Sequence, residues 1–296
     1  MSSLREYRKK IKTIRSTEQI TKAMKMVAAA RLRRAQSRIL AARPFAFKMR
    51  DLLSDLAARI LQNEDSNAEE LFSTLHPLLR TNQTNRIALL LVTADKGLCG
   101  SFNTNLIKKA VEVLKENENK EILFFVVGRK GRDFFKRVGA SISGETINIF
   151  NNLSYIHAEL IGSELIKAYL QNQLAEVVVV YNEFKSVIQQ RLVVERLLPI
   201  AKPLQISQEQ KTDFIYEPKK ELLLEGLLPR YVKSQIFRIL LESSAAELGA
   251  RMAAMDSATK NASELIDLLT LKLNRTRQAI ITREIAELVG GAEALK

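Results

Sequence analysis

Two long stretches free of strong chain breakers bracket this sequence and constrain its fold more than any other feature. No glycine occurs before Gly97, and Pro44 is the only proline before Pro77. At the other end no proline follows Pro229, and Gly249 alone interrupts the chain before Gly290. Seven of the eleven glycines fall between Gly97 and Gly162, so the middle of the chain is where it turns. The first stretch is rich in Ala, Arg, Lys, Leu, Met and Gln, all good helix formers. A helix from Leu4 to about Leu61 rises by ~1.5 Å per residue and is longer than a domain of ordinary size is wide. The second stretch, Tyr231 to about Val289, predicts a helix of similar length. Two such rods at opposite ends of one chain predict an antiparallel pair joined by a compact domain, with part of the pair left for another molecule to cover.

Leu4, Tyr7, Ile11 and Ile14 step by three and four, as a coiled-coil seam does. Beyond Ile14 the apolar positions Ile20, Met24 and Val27 sit about half a turn round, which predicts a stripe that drifts across the helix. Small residues crowd both rods: Ala28, Ala29, Ala30, Ala35, Ala41 and Ala42 in the first; Ser243, Ala245, Ala246, Gly249, Ala250, Ala253 and Ala254 in the second. Such residues let two backbones approach closely.

The middle reads as α/β. Arg86–Thr93, Glu121–Val127 and Glu176–Phe184 are apolar runs of strand length, and Asn103–Glu116, Lys130–Val138 and His157–Asn172 carry helical spacing between them. Strands alternating with helices predict a parallel sheet covered on both faces. Val187–Leu198 is expected to add an antiparallel strand. The resulting divisions are 1–61 for the first helix, 62–85 for a linker, 86–218 for the α/β domain, 219–230 for a connector and 231–296 for the last helix.

The charge is placed unevenly. All of the net +13 resides in the first 50 residues, which hold fifteen Lys or Arg against Glu6 and Glu18; the other 246 residues are neutral. An acidic partner is one reading and a solvated helix surface the other. A basic coiled coil that binds nucleic acid is the alternative functional class. The basic residues are scattered round the helix, however, where a groove-reading helix keeps one basic face. The basic, acid-poor start also has the composition of an organelle presequence, and it lacks the apolar core of a secretory signal. The longest apolar runs are too short to span a bilayer.

Chemistry-bearing groups are sparse. Asp95-Lys96-Gly97-Leu98-Cys99-Gly100-Ser101-Phe102-Asn103 turns from a strand into a helix, where α/β folds hold phosphates. It matches neither common phosphate-loop pattern, and a structural turn capped by Ser101 or Asn103 is the plainer reading. Cys99, the one cysteine, is expected to be a buried small hydrophobe, and His76 and His157 lack metal-ligand company. No catalytic, cofactor or metal site is expected.

Four strings carry a family resemblance. Ile11-Lys12-Thr13-Ile14-Arg15-Ser16-Thr17-Glu18-Gln19-Ile20-Thr21-Lys22-Ala23-Met24-Lys25-Met26-Val27-Ala28-Ala29 resembles the N-terminal helix of the gamma subunits of F-type ATP synthases. The Asp95–Asn103 turn resembles that family's internal glycine motif. Arg251-Met252-Ala253-Ala254-Met255-Asp256-Ser257-Ala258-Thr259-Lys260-Asn261-Ala262 and Leu273-Asn274-Arg275-Thr276-Arg277-Gln278-Ala279-Ile280-Ile281-Thr282-Arg283-Glu284-Ile285 resemble its C-terminal helix. The match runs in order from about residue 4 to residue 292 and assigns the basic start to the mature chain.

The resemblance implies a fold and a role. The fold is an antiparallel two-helix coiled coil with a Rossmann-like domain inserted between the helices. The role is the non-catalytic rotor shaft of the enzyme. The partners implied are three alpha and three beta subunits, the epsilon subunit and the ring of c subunits; no nucleic acid and no cofactor are implied. Met24, Lys25, Arg277 and Gln278 would meet beta. Tyr216 and Glu217 would stand near the c ring, with Arg31, Arg33 and Arg34 toward that end. The place implied is the cytoplasmic face of a bacterial membrane, held there through the c ring. Plastid members carry a regulatory cysteine pair that this chain, with Cys99 alone, does not share. Lys25 stands where some relatives place an acid.

Overall fold

The computed structural model describes residues 4–61, 75–171, 173–186, 189–200 and 220–294. The chain forms two compact units, one drawn from Met1–Ala30 and Arg251–Lys296, the other from Arg31–Ala250. Helix α1 covers Leu4–Leu61 and carries Pro44 within it. The last helix covers Lys220–Ala294, so residues 220–230 of the expected connector are already helical, Pro229 included.

In the larger unit the strands are β1 (Arg86–Val92), β2 (Glu121–Val127), β3 (Gly144–Thr146), β4 (Glu176–Phe184) and β5 (Gln190–Leu198). They lie in the order β3-β2-β1-β4-β5. The first four pair parallel, and β5 returns antiparallel beside β4. Helices α2 (Phe102–Glu116), α3 (Arg129–Arg137) and α4 (Tyr155–Leu170) connect them, and the Lys220–Ala294 helix is α5. The three long strands lie where the apolar runs predict them. β3, three half-exposed residues, has no such run and is missing from the sequence reading.

β1 is apolar on both faces because both are covered. Ala88, Leu90 and Val92 pack in one layer with Ile161 and Leu165 of α4, Leu32 and Ile39 of α1, and Ile236 and Ile239 of α5. Leu89 and Leu91 pack in the other with Leu106 and Ala110 of α2 and Phe135 of α3. Each fully buried leucine contributes about 2 kcal/mol, and β1 supplies three of them. The small residues of α5 belong to these layers: Ala245 joins the first and Ala246 the second. Phe124 and Phe135 stack with centroids 4.4 Å apart.

The smaller unit pairs the start of α1 with the later part of α5. Thr21 meets Thr259 and Lys25 meets Asp256, which makes the pair antiparallel. The less exposed residues of α1 are Leu4, Tyr7, Ile11, Ile14, Glu18, Thr21, Lys25 and Ala28, at alternating steps of three and four. On α5 the same steps run through Met252, Met255, Thr259, Ala262, Ile266, Leu269, Leu273 and Thr276. The seam therefore does not drift. It continues in register through polar residues, while Ile20 (59% exposed) and Val27 (54%) lie outside it and Met24 is half-buried. Reading apolarity alone follows Ile20 and Val27 away from the true contact line.

Candidate functional site

The C-terminal edge of the sheet is where a parallel α/β fold offers backbone N–H groups to an anion. Here the chain fills that edge with its own side chains. Asp95 Oδ1 accepts from the backbone N–H of Arg129 at 3.1 Å and of Asn148 at 2.8 Å. Thr93 Oγ1 accepts from Gly131 N at 2.9 Å and donates to the Val127 carbonyl at 3.0 Å. Arg129 reaches on to Asn148 Oδ1 at 2.9 Å. A carboxylate thus caps the first amide of α3.

The glycine turn is tied down in the same way. Asn103 Oδ1 accepts from Ala94 N at 2.9 Å, and its amide donates to Cys99 Sγ at 3.1 Å. Cys99 is 1% exposed, the small buried residue expected from sequence. Asn103 therefore clasps the turn, while Ser101 stands at the N-cap of α2 without a side-chain bond to a backbone amide there.

Both histidines serve as caps. His157 forms a capping box with Ser154 at the start of α4. His76 Nδ1 accepts from Leu78 N at 3.1 Å, and burial holds this imidazole below its ordinary value, in the neutral form that can accept. Among the described residues no three His, Cys, Asp or Glu gather into a metal-binding group.

One polar cluster of the larger unit carries no sequence signal. Arg238 on α5 donates to Glu195 Oε1 and Oε2 at 3.1 Å and to the Tyr181 hydroxyl at 3.2 Å. Tyr181 donates to Glu195 at 2.9 Å, and Glu242 lies 3.5 Å from Arg238. Glu242 is 6% exposed, and its Oε2 lacks a hydrogen-bond partner. Burial raises the Glu242 carboxyl above its ordinary value, with Arg238 opposing the shift. Burial raises the Tyr181 hydroxyl too, which keeps it protonated and donating. Arg238 and Glu242 are neighbours on one helix face, but Tyr181 and Glu195 lie 57 and 43 positions from Arg238, so only the fold assembles the cluster. The cluster is an internal brace between α5 and the β4–β5 edge.

The residues singled out by resemblance fall in different places. Met24 is half-buried on α1, and Lys25 donates to Asp256 Oδ1 at 2.6 Å. Arg277 and Gln278 are exposed on α5, just past Thr276, where the antiparallel pairing runs out of α1. From there to Ala292 every residue of α5 is exposed, including Ile281, Ile285, Leu288 and Val289. Arg31, Arg33 and Arg34 are exposed on α1 in the larger unit. Tyr216 and Glu217 lie outside the described residues.

A family model described as ATP synthase matches residues 3–295. A protein named ATP synthase gamma chain from Desulfitobacterium hafniense is 45% identical over 296 residues, covering all of both chains. One of the same name from Halothermothrix orenii is 46% identical over 299 residues, again covering all of both. Among solved structures, a central stalk/c-ring chain of the Tetrahymena thermophila mitochondrial ATP synthase aligns with a TM-score of 0.60 at 29% identity, over 81% of this chain and 99% of that one. A rotor chain of the Euglena gracilis mitochondrial ATP synthase aligns with a TM-score of 0.64 at 19% identity, over 94% of this chain and 98% of that one, a likeness of fold.

Proposed function

Because this chain belongs to the ATP synthase gamma-chain family, we propose that it transmits rotation between a membrane-embedded c ring and the catalytic beta subunits. It is a non-catalytic subunit, and its role is that of the central stalk. The observation that carries the reading is the end-to-end identity of 45% with gamma chains.

The smaller unit supplies the shaft that enters a ring of three alpha and three beta subunits. Rotation acts as an effector: each angular position stabilises a different state of each beta site, so coupling is a free-energy difference between site states. The exposed apolar end of α5 suits an apolar sleeve, where contacts are non-directional and no single angle is favoured. Met24, Lys25, Arg277 and Gln278 are the residues we assign to contact with beta. Lys25 makes that contact with its charge shared with Asp256. The larger unit stands toward the c ring with the epsilon subunit, and Arg31, Arg33, Arg34, Tyr216 and Glu217 are assigned to that end. No helix among the described residues is long and apolar enough to cross a membrane. Attachment through the c ring, on the cytoplasmic face of a bacterial membrane, follows from the shaft role and from the bacterial source of the relatives.

Co-purification tests the reading. Detergent extracts of membranes should yield this chain together with alpha and beta; recovery without them overturns it. In the assembled complex, Arg277→Ala should lower ATPase turnover about tenfold, the loss of one charge-assisted hydrogen bond to the stator. Gln278→Ala should lower it about fivefold, as befits a neutral bond. Circular dichroism should be unchanged in both, because both side chains are exposed. Wild-type turnover in both variants removes this assignment.

A further inference from the structure

The seam of the smaller unit is interrupted by polar groups at one level. Thr21 Oγ1 and Thr259 Oγ1 are 2.8 Å apart, so that one hydroxyl donates to the other while the second donates to a carbonyl of its own helix. One turn further along α1, Lys25 donates to Asp256 Oδ1 at 2.6 Å, while Lys260 holds Asp256 Oδ2 at 3.1 Å. Toward the start of α1 the seam is apolar, with Ile11 and Ile14 on one helix and Ile266 and Leu269 on the other. Below the polar level come Ala28 and Met252. An apolar seam of regular spacing fits nearly as well when one helix slides by a whole heptad, about 10 Å.

We propose that the Thr21–Thr259 and Lys25–Asp256 level is the register key of the paired helices, with Lys25 and Thr21 as positioning residues that admit a single stagger. The two slips that keep seam facing seam both fail at this level. Sliding seven residues one way sets Asp256 against Glu18, two carboxylates face to face, and Thr21 against Met252. Sliding the other way sets Lys25 against Ser263, Thr21 against Ile266 and Thr259 against Ala28, so that the Thr21–Thr259 and Lys25–Asp256 bonds between the helices are both lost. A polar residue at a seam position specifies register in this way because each wrong alignment strands it. Lys25 and Lys260 hold the Asp256 carboxyl below the usual carboxylate range, so it stays charged at neutral pH. The ion pair is partly solvated and adds little to stability, which is the usual condition of such pairs. Its value lies in the difference between the native alignment and the slipped ones.

The consequence for coupling rests on the central-stalk reading; the register itself does not. A shaft under load that could slip by a heptad would move its beta-facing residues along the axis by a third of the way across a small domain. A keyed seam keeps Arg277 and Gln278 at one height relative to Met24.

The test reads the stagger directly. Ser16 and Arg275 are exposed, one on each helix, and eleven residues separate Arg275 from the position that the threonine pairing sets opposite Ser16. Spin labels there, on cysteines introduced into the full chain, report an axial slip as a displaced distance; Cys99 is buried and stays unlabelled. The parent chain should give one distance. K25E places a glutamate against Asp256 and should add a second population displaced by several ångströms. The charge swap K25E/D256K should restore the single distance. A single unchanged distance in K25E, or a split distance that survives the swap, overturns the proposal. Where K25E yields no folded chain, the swap decides: folded chain with one distance supports the key, and no folded chain overturns it. Failure of the parent chain to assemble counts against the stalk reading alone, since the distances are read on the free chain.

Discussion

Gly128→Ala is expected to unfold the α/β unit at temperatures where the parent chain is stable. Gly128 ends β2 with φ +93°, a conformation in the left-handed half of the map that L side chains rarely adopt. A Cβ placed there would meet the Thr93 carbonyl oxygen at 2.1 Å and Thr93 Oγ1 at 2.8 Å. Neither is the far end of a flexible side chain. The carbonyl is backbone at the end of β1, and the hydroxyl is already engaged with Gly131 N and the Val127 carbonyl. With ψ at 142° this backbone lies in a region kept almost wholly to glycine, which costs another residue about 1–3 kcal/mol by itself. The overlap adds to it, and the total is expected to be on the order of 5 kcal/mol, at the upper end for single substitutions. A unit of this size loses about 2–4 °C in Tm per kcal/mol, so the melt should fall by roughly 10–20 °C. Gly139→Ala separates the two contributions. Gly139 also has a positive φ, +77°, but a Cβ there meets nothing within 4 Å. Its melt should fall by only a few degrees. Equal melts for the two variants would show that the close approach to Thr93 does not matter.

Arg238→Met is expected to cost about 3 kcal/mol, because it leaves the Glu242 carboxylate behind in a place with little water. Glu195 would lose both of its bonds to the guanidinium, and Glu242, nearly fully buried, would lose the guanidinium 3.5 Å away. Methionine fills the stem's volume, so the loss is of charge rather than of packing. The dependence on pH identifies the cause. The Glu242 carboxyl is raised in the folded state, so the fold binds its proton more tightly than the unfolded chain does. That contribution is fully present below the unfolded carboxylate value of about 4.3 and is lost as pH rises through the raised one. Removing Arg238 raises the carboxyl further. The variant should therefore be penalised more at about pH 8 than at about pH 5 in chemical denaturation. Glu242→Gln in the Arg238→Met background should recover part of the loss and flatten the profile. An equal penalty at both pH values would assign the loss to something other than the carboxylates.

How much of this was legible in the sequence depended on whether the signal was local. Glu121–Val127 and Glu176–Phe184 announce themselves as strands because both faces of a covered parallel sheet are apolar. The long helices are legible from the want of glycine and proline, and the start of the seam from Leu4, Tyr7, Ile11 and Ile14. The seam's continuation was hidden because Glu18, Thr21 and Lys25 occupy it, and a rule that seeks apolar residues follows Ile20 and Val27 onto an exposed face. Only the partner helix, 231 residues away, explains why a lysine belongs at that position. The brace of Tyr181, Glu195, Arg238 and Glu242 was hidden for the same reason. β3 was hidden because three residues cannot show a period. The glycine turn was legible as a turn, and the structure adds what fills it.

That filling has a further meaning for a subunit of the ATP synthase central stalk. The architecture of the larger unit is one that elsewhere grips nucleotides, and a shaft that gripped them would change shape or stiffness with the very concentrations the machine exists to alter. Asp95, bonded to the amides of Arg129 and Asn148, closes the start of α3 to an outside anion. That end of the sheet is then held by the fold's own bonds and offers no handle to the nucleotides the machine turns over.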